Sequence, residues 1–436
     1  MRKHRLPVLR ESAVLRYFAF FYLYAMQGIP AGFALTAIAN YLIGRGVNST
    51  TIGWFDALIG IPWVIQFIWG SLIDRFQFSS IGHRKQWVLG SQLLILAITY
   101  AIASINDPAR QLHPVAWLFF THSIFASIQD ASVDALAISL VPDKEKGKLN
   151  AFMRSGLILG TAGGAAGLST LMHRHGFHTA AICQFCILTG LTALTWLIKI
   201  DRTDRYLPVL KSVKAGTQPA AASTENPPLL WLFKQLYKGI FARESLSAFG
   251  IMALVYLTFS VFYRSLSFQL IHYLHWPDND LSVLQGTWAM VFTITITLCG
   301  GLLADYVGPA TLQWRTTIAI SLFYLVFNGL GFLWHYKSFS TAGILVYSLA
   351  DPVFSVAAMP VLMALCRRKV EGSQFTAYMA IVNLCDVIGA YISGWGMSIT
   401  TAPVIGVCCG VLIIAVVIVK TILSRRNNAS SYRYFG

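Results

Sequence analysis

The sequence predicts an all-α membrane protein with twelve transmembrane helices in two six-helix halves and both termini cytoplasmic, and three observations predict it. Of 436 residues, 56% are hydrophobic and only 12% are charged, too few charges to cover soluble domains of that size. Apolar stretches of about 20 residues, the length that crosses roughly 30 Å of hydrocarbon as a helix, recur along the whole chain. One long polar segment, 201–243, divides the chain into parts that echo each other.

The expected spans are 15–40, 52–73, 86–106, 115–141, 149–172 and 178–200 in an N-terminal half (1–200). The C-terminal half (244–424) has 245–274, 282–306, 314–335, 340–366, 372–398 and 402–424, followed by a cytoplasmic tail at 425–436. Helix one follows a basic start that resembles a secretory signal. It is long enough to span and no convincing small-residue cleavage site follows, so it reads as an uncleaved helix. Its aromatic run from Tyr17 to Tyr24 suits lipid or interface, whereas Gln27, beside Gly28 and Pro30, is a mid-helix amide that needs a partner and is expected to line a cavity. Asn40 and Tyr41 end that helix.

Helix two carries Asp56, and helix four carries His122, Gln129, Asp130 and Asp134. Helix five opens with Arg154 and continues through Gly156, Gly160, Gly163, Gly164 and Gly167, a small-residue spacing for close helix packing. Cys183 and Cys186 in helix six, like Cys408 and Cys409 in helix twelve, read as small apolar groups rather than metal or redox pairs. The 201–243 segment is rich in Ala, Ser, Thr, Pro and Lys, cannot bury a core, and is expected to be a cytoplasmic linker. Helix seven sets Arg264 among Tyr256, Phe259, Phe262, Tyr263 and Phe268; helix ten has Asp351 before Pro352; helix eleven has Asp386 at its middle.

With the N-terminus inside, most of the 33 Lys and Arg fall in cytoplasmic segments, and Arg45, Arg110, Arg174 and Lys337 lie opposite, as the positive-inside rule requires. Loops bordering anionic lipid headgroups then account for the formal net charge of +15 without a nucleic-acid partner.

Two echoes cross the linker at nearly one lag. Ser71-Leu72-Ile73-Asp74-Arg75 matches Gly301-Leu302-Leu303-Ala304-Asp305, and the stretch from Lys146 to Met153 matches that from Glu371 to Met379. A shared lag argues for a duplicated six-helix unit. Parallel six-helix repeats with a solute site near mid-bilayer between them are the architecture of the major facilitator transporters. Gly70-Ser71-Leu72-Ile73-Asp74-Arg75, with Gly82-His83-Arg84-Lys85 in the same loop, resembles the cytoplasmic signature of that superfamily. The resemblance implies a gating role for Gly70, Asp74, Arg75, Arg84 and, in the second copy, Asp305. That second copy lacks the basic residue directly after the aspartate.

Further motifs narrow the resemblance: Gln27-Gly28-Ile29-Pro30, Phe67-x-Trp69, Gly82-x-Arg84-Lys85-x-Trp87, Gln129-Asp130 with Asp134-Ala135, Gln374-Phe375, and Gly394-Trp395. In this order they resemble the branch holding the AmpG-like muropeptide permeases, the acetyl-coenzyme A transporters and the siderophore permeases of the RhtX/FptX type. The resemblance implies proton-driven import of a sizeable polar solute across the bacterial inner membrane. The muropeptide permeases carry an aromatic and a basic residue after the helix-four D-A and G-Y-R-x-G in helix five. Here the corresponding stretches read Asp134-Ala135-Leu136-Ala137 and Gly156-Leu157-Ile158-Leu159-Gly160, which favours the siderophore-type branch, with muropeptide import or export of a siderophore or drug as alternatives.

A charge at mid-bilayer costs roughly 2.5–3.5 kcal/mol even on a lenient scale, so such residues face a wet cavity, a partner or a solute. Asp130 and Asp134, four apart on one helix face, form a candidate proton site; Asp130 and Asp386 are the expected coupling residues, and Asp134 is expected to pair with Arg154. Arg264 is expected to contact an anionic solute with Tyr263, Gln27 and Gln129, or to pair internally with Asp386 or Asp56. Asp351 sits where Pro352 is expected to bend its helix. His173, His175 and His178 lack acidic neighbours and read as a polar turn, so no metal or cofactor is expected. A membrane-bound enzyme finds no strong support, and the duplicated gating loop argues against a channel. The partners expected are a small-molecule solute, protons and membrane lipids, with the chain working as a monomer.

Overall fold

The computed structural model describes residues 8–76, 79–207, 243–364 and 371–432, so most of the expected linker lies outside the described residues. Within them the chain is helical almost throughout. The first six helices are α1 (Ala13–Gly44), α2 (Ser49–Val64, resuming as Phe67–Arg75), α3 (Lys85–Ala103), α4 (Leu112–Leu140), α5 (Asp143–Ala162, continuing to His175) and α6 (Phe177–Leu197). The second six are α7 (Arg243–Phe268, continuing to Tyr273), α8 (Asp278–Val307), α9 (Pro309–Gly329), α10 (Lys337–Ser348 and Ala350–Ala364), α11 (Glu371–Ile399) and α12 (Ala402–Tyr432). All but α8 and α9 contain a described stretch long and apolar enough to cross a membrane.

The helices outrun the expected spans because hydropathy marks the membrane, not the helix. Ser12 caps α1 and Asn48 caps α2 through their side-chain oxygens, several residues before the apolar runs begin. α5 starts in the charged stretch at Asp143 and α8 at Asp278. α12 runs past 424 to Tyr432, since no Gly or Pro interrupts 411–432. Pro30 does not end α1: the helix passes through a π-helical turn at Phe33–Ile38 and continues through Asn40 and Tyr41 to Gly44.

The α1–α5 crossing anchors the first half. A Cβ on Gly156, Gly160 or Gly164 would lie 2.1, 2.2 and 2.1 Å from the carbonyl oxygens of Phe21, Ala25 and Ile29. Gly163 and Gly167 face open space and take no part in this packing. Gly160→Ala is therefore expected to cost about 1–3 kcal/mol or more, because backbone cannot retreat, while Gly167→Ala should be neutral. Thermal unfolding in detergent compares them; equal midpoints would remove the crossing from the stability argument.

Chain before α1 is clasped to chain after α6. The amides of Leu9 and Arg10 donate to the carbonyls of Lys199 and Ile200 at 3.0 and 3.1 Å. Arg202 forks onto Glu11, both bonds 2.6 Å, and this pairing lowers the Glu11 pKa. Buried Lys85 reaches the carbonyls of Trp196 and Ile198 at 3.0 and 2.6 Å.

Candidate solute site and gates

The halves meet most closely at the end holding the α1–α2 and α7–α8 loops. There α2 crosses α11 glycine to glycine: a Cβ on Gly53 would stand 2.6 Å from the Ala390 carbonyl oxygen, and one on Gly394 would stand 2.6 Å from that of Ser49. Buried Asn40 of α1 donates to Ser282 Oγ at 2.9 Å and Gln285 Oε1 at 3.1 Å on α8. His173 Nε2, at the end of α5, lies 2.8 Å from Asp278 of α8, and Ser169 Oγ lies 3.1 Å from Asn279 Oδ1. This end is sealed by polar contacts laid over close helix approach.

Below the seal, Arg264 of α7 joins the halves. Its Nε donates to Asp56 Oδ2 of α2 at 2.9 Å; Nη1 and Nη2 fork onto the Asp386 carboxylate of α11 at 2.9 and 3.1 Å; Nη1 also donates to Ser260 Oγ at 2.6 Å. The side chain of Asp56 is 2% exposed and that of Arg264 13%, but that of Asp386 is 49% exposed. Asp386 shares its helix face with Asn383, which donates to the Trp63 carbonyl of α2, and with Val387, which lies against Gly60. Its open side therefore gives onto the space between the halves. Of the sequence alternatives for Arg264, the geometry holds the internal pair: in this conformation every guanidinium nitrogen is engaged and none is presented to a solute.

The α4 carboxylates are held by the first half alone. Gln66 Nε2, freed by the break in α2 after Val64, donates to Asp130 Oδ2, and Tyr24 donates to Asp134 Oδ1. Gln27 lies beside Asp130, its Nε2 making no hydrogen bond that satisfies its geometry. The expected Asp134–Arg154 pair does not form, because Tyr24 occupies Asp134. Gln129, next to Asp130 in the chain, is buried at 1% exposure, with its amide nitrogen unpartnered among the described residues.

Arg154 is exposed where the apolar part of α5 begins and has no hydrogen bond or ion pair among the described residues. It lies within electrostatic range of Tyr24 on its own half and of Tyr256 on the other. Tyr256 bonds Ser355 Oγ at 3.1 Å, and Ser355 in turn donates to Asp351 Oδ1 at 3.0 Å. Asp351 is exposed in the first turn after the interruption of α10 at Leu349. Tyr263 lies beside Thr36 of α1 and stacks on Tyr347, ring centroids 6.4 Å apart.

The family model for the Major Facilitator Superfamily matches residues 17–394. The chain belongs to the major facilitator superfamily. It is a transporter and a multi-pass inner-membrane protein. Within the superfamily it is similar to the anhydromuropeptide permease of Escherichia coli (strain K12), 24% identical over 392 residues that cover 85% of this chain and 72% of that one. An uncharacterised protein of Haemophilus influenzae is 28% identical over 326 residues, 71% of this chain and 69% of that one. Two solved major facilitators share the fold: the nucleoside transporter NupG (TM-score 0.67, 13% identity, 93% and 99% of the chains covered) and a D-xylose-proton symporter (0.62, 14%, 91% and 97%).

The major facilitator signature loop lies at the end opposite the seal. A Cβ on Gly70 would meet nothing within 4 Å, so no helix closes on this glycine in this conformation. Arg84, in a left-handed conformation (φ 57°), donates to the Ala135 carbonyl at 2.5 Å and so ties the loop to α4 of the same half. The side chains of Asp74, Arg75 and Asp305 lie outside those described. Sequence reasoning missed Asn40, read only as a helix end, and Arg154, read only as a partner for Asp134. An unexplained arginine inside an apolar span was the signal available for the second.

Proposed function

We propose that this major facilitator is a proton-coupled importer of a sizeable polar or anionic solute, with twelve spans and both termini cytoplasmic. The sealed end is then extracytoplasmic and this conformation opens inward. The observation that carries the reading is the Asp56–Arg264–Asp386 triad: an arginine bridging both halves, dry on the sealed side and wet on the cavity side. A proton arriving at Asp386 from the cavity would release half of the arginine's grip, which couples protonation to the inter-half contact. Asp130, clustered with Asp134, Gln66 and Gln27, is the second coupling candidate. Asp74, Arg75, Arg84 and Asp305 are proposed to gate the opposite end when it closes.

For the solute, siderophore-type import remains one reading and muropeptide import the other. The similarity to the anhydromuropeptide permease supports the second. So does helix five, where Arg154-Ser155-Gly156 resembles the R-x-G of the permease motif. The departure at Asp134-Ala135-Leu136-Ala137 in helix four still favours a siderophore.

Uptake into proteoliposomes under an acid-outside gradient tests the proposal, with labelled anhydromuropeptide and a ferric siderophore as probes. Accumulation of either supports import and selects the solute; gradient-driven loss from preloaded vesicles would reverse the direction. Asp386→Asn and Asp130→Asn are each expected to abolish gradient-driven accumulation while leaving solute exchange at least partly intact. Wild-type accumulation in both variants would end the coupling assignment.

A further inference from the structure

The membrane helices of this chain hold two arginines in opposite circumstances. Arg264 has all of its nitrogens bound. Arg154 has none bound among the described residues, although it stands where the apolar part of the candidate span Lys148–His175 begins. A guanidinium left unpaired at the edge of an apolar span calls for water or a ligand.

Its direction follows from the helix. Ala165 stands about three turns beyond Arg154 and so shares its face, and Ala165 is a residue that meets Gly286 of α8, where a Cβ would come within 3.1 Å. The Arg154 face of α5 therefore looks across to the other half, while the Gly156–Gly160–Gly164 face looks at α1. Tyr256, on α7 of the other half, lies within its electrostatic range. Behind Tyr256 stand Ser355 and the exposed Asp351, linked by hydrogen bonds of 3.1 and 3.0 Å. Arg154 and Asp351 form no ion pair with each other, although each bears on Tyr256. Both are thus open to the space between the halves, an unpaired cation on one wall and an exposed carboxylate on the other, with tyrosines between.

We propose that Arg154 is the anion anchor of the solute site and Asp351 its counterpart for donors, so that the transported solute is dipolar. It carries a carboxylate or phosphate for the guanidinium fork and, at a distance from it, an ammonium, amide or hydroxyl donor for Asp351. Tyr24 and Tyr256 supply apolar faces and hydroxyls between these poles. Because the anchors sit on different halves, a solute holding both would draw the halves together at the end that is open here. This rests on the transporter reading.

The test loads proteoliposomes with the small-molecule fraction of a bacterial lysate and identifies retained solutes by mass spectrometry. Wild-type protein should retain compounds carrying both an oxyanion and a donor group. Arg154→Gln should lower their retention about tenfold or more, the loss of one charge-assisted contact, and Arg154→Lys should restore part of it. Asp351→Asn should lower retention most for solutes bearing an ammonium group. In a second measurement on detergent-purified protein, phenylglyoxal should modify Arg154, and inorganic phosphate should slow that modification more than it slows modification of Arg174 in the last turn of α5. Retention of neutral solutes only, or equal retention by correctly folded Arg154→Gln, would overturn the anchor while leaving the transporter reading intact. No retention of any solute by the wild type would overturn the transporter reading itself. Phosphate that leaves Arg154 as reactive as before would overturn the anion site alone.

Discussion

Arg264→Ala is expected to destabilise the protein by about 3–5 kcal/mol and to abolish transport. Removing one partner of a buried ion pair strands the other in low dielectric, and here the stranded group is Asp56, whose side chain is 2% exposed. Asp386, 49% exposed, keeps water when it loses the arginine and adds less to the loss. The same asymmetry supplies the check. Asp56→Asn added to Arg264→Ala removes the stranded charge and should recover much of the thermal stability in detergent, but not transport. Asp386→Asn added instead should recover little. If neither second substitution helps, or if Arg264→Ala unfolds at the wild-type temperature, the triad is not the joint described above. Ser393, next to Gly394 on α11, is buried against Ser265 of α7, their hydroxyl oxygens 2.9 Å apart, and Ser393→Cys should react faster with an outside-added thiol reagent once Arg264 is gone.

Gly394→Leu is expected to lower uptake at least a hundredfold while leaving each half folded. The Gly53–Gly394 crossing has backbone on both sides: Gly53 Cα lies 2.9 Å from where a Cβ on Gly394 would stand. No rotamer of a leucine fits, and the clash falls between the halves rather than within one. The sealed end should therefore stay ajar instead of the protein unfolding, unlike Gly160→Ala, whose clash lies inside the first half. Gly53→Leu should act alike, and Gly70→Leu should affect this conformation little. Size-exclusion behaviour reads folding and outside-thiol labelling of Ser49→Cys reads the opening. A sealed, transporting Gly394→Leu protein would refute the idea that this crossing closes the extracytoplasmic end.

The residues that matter differed in how far the chain announced them. Five aspartates and two arginines in apolar spans were visible at once, because hydropathy contrast is local and a charge within it stands out. Which aspartate meets which arginine was not visible. Asp56 and Arg264 are separated by 208 positions and meet because α11 packs at glycines against both α2 and α7, glycines that no periodicity distinguishes. Asp134 was paired with Arg154 on nearness in sequence, but Tyr24 of α1 reached it first. Among five α5 glycines of similar spacing, three touch α1 and two face open space.

The sequence by itself determined that the protein is a helical membrane transporter of the major facilitator kind. Apolar length, charge asymmetry and internal repetition are each properties of one stretch of chain or of two stretches compared. Only the tertiary structure decided that Arg264 is a joint between the halves and that Arg154 stands open, since whether a charge is satisfied depends on side chains delivered by other helices. It also depends on which end of the molecule is closed, a matter of how two halves dock that no single stretch encodes.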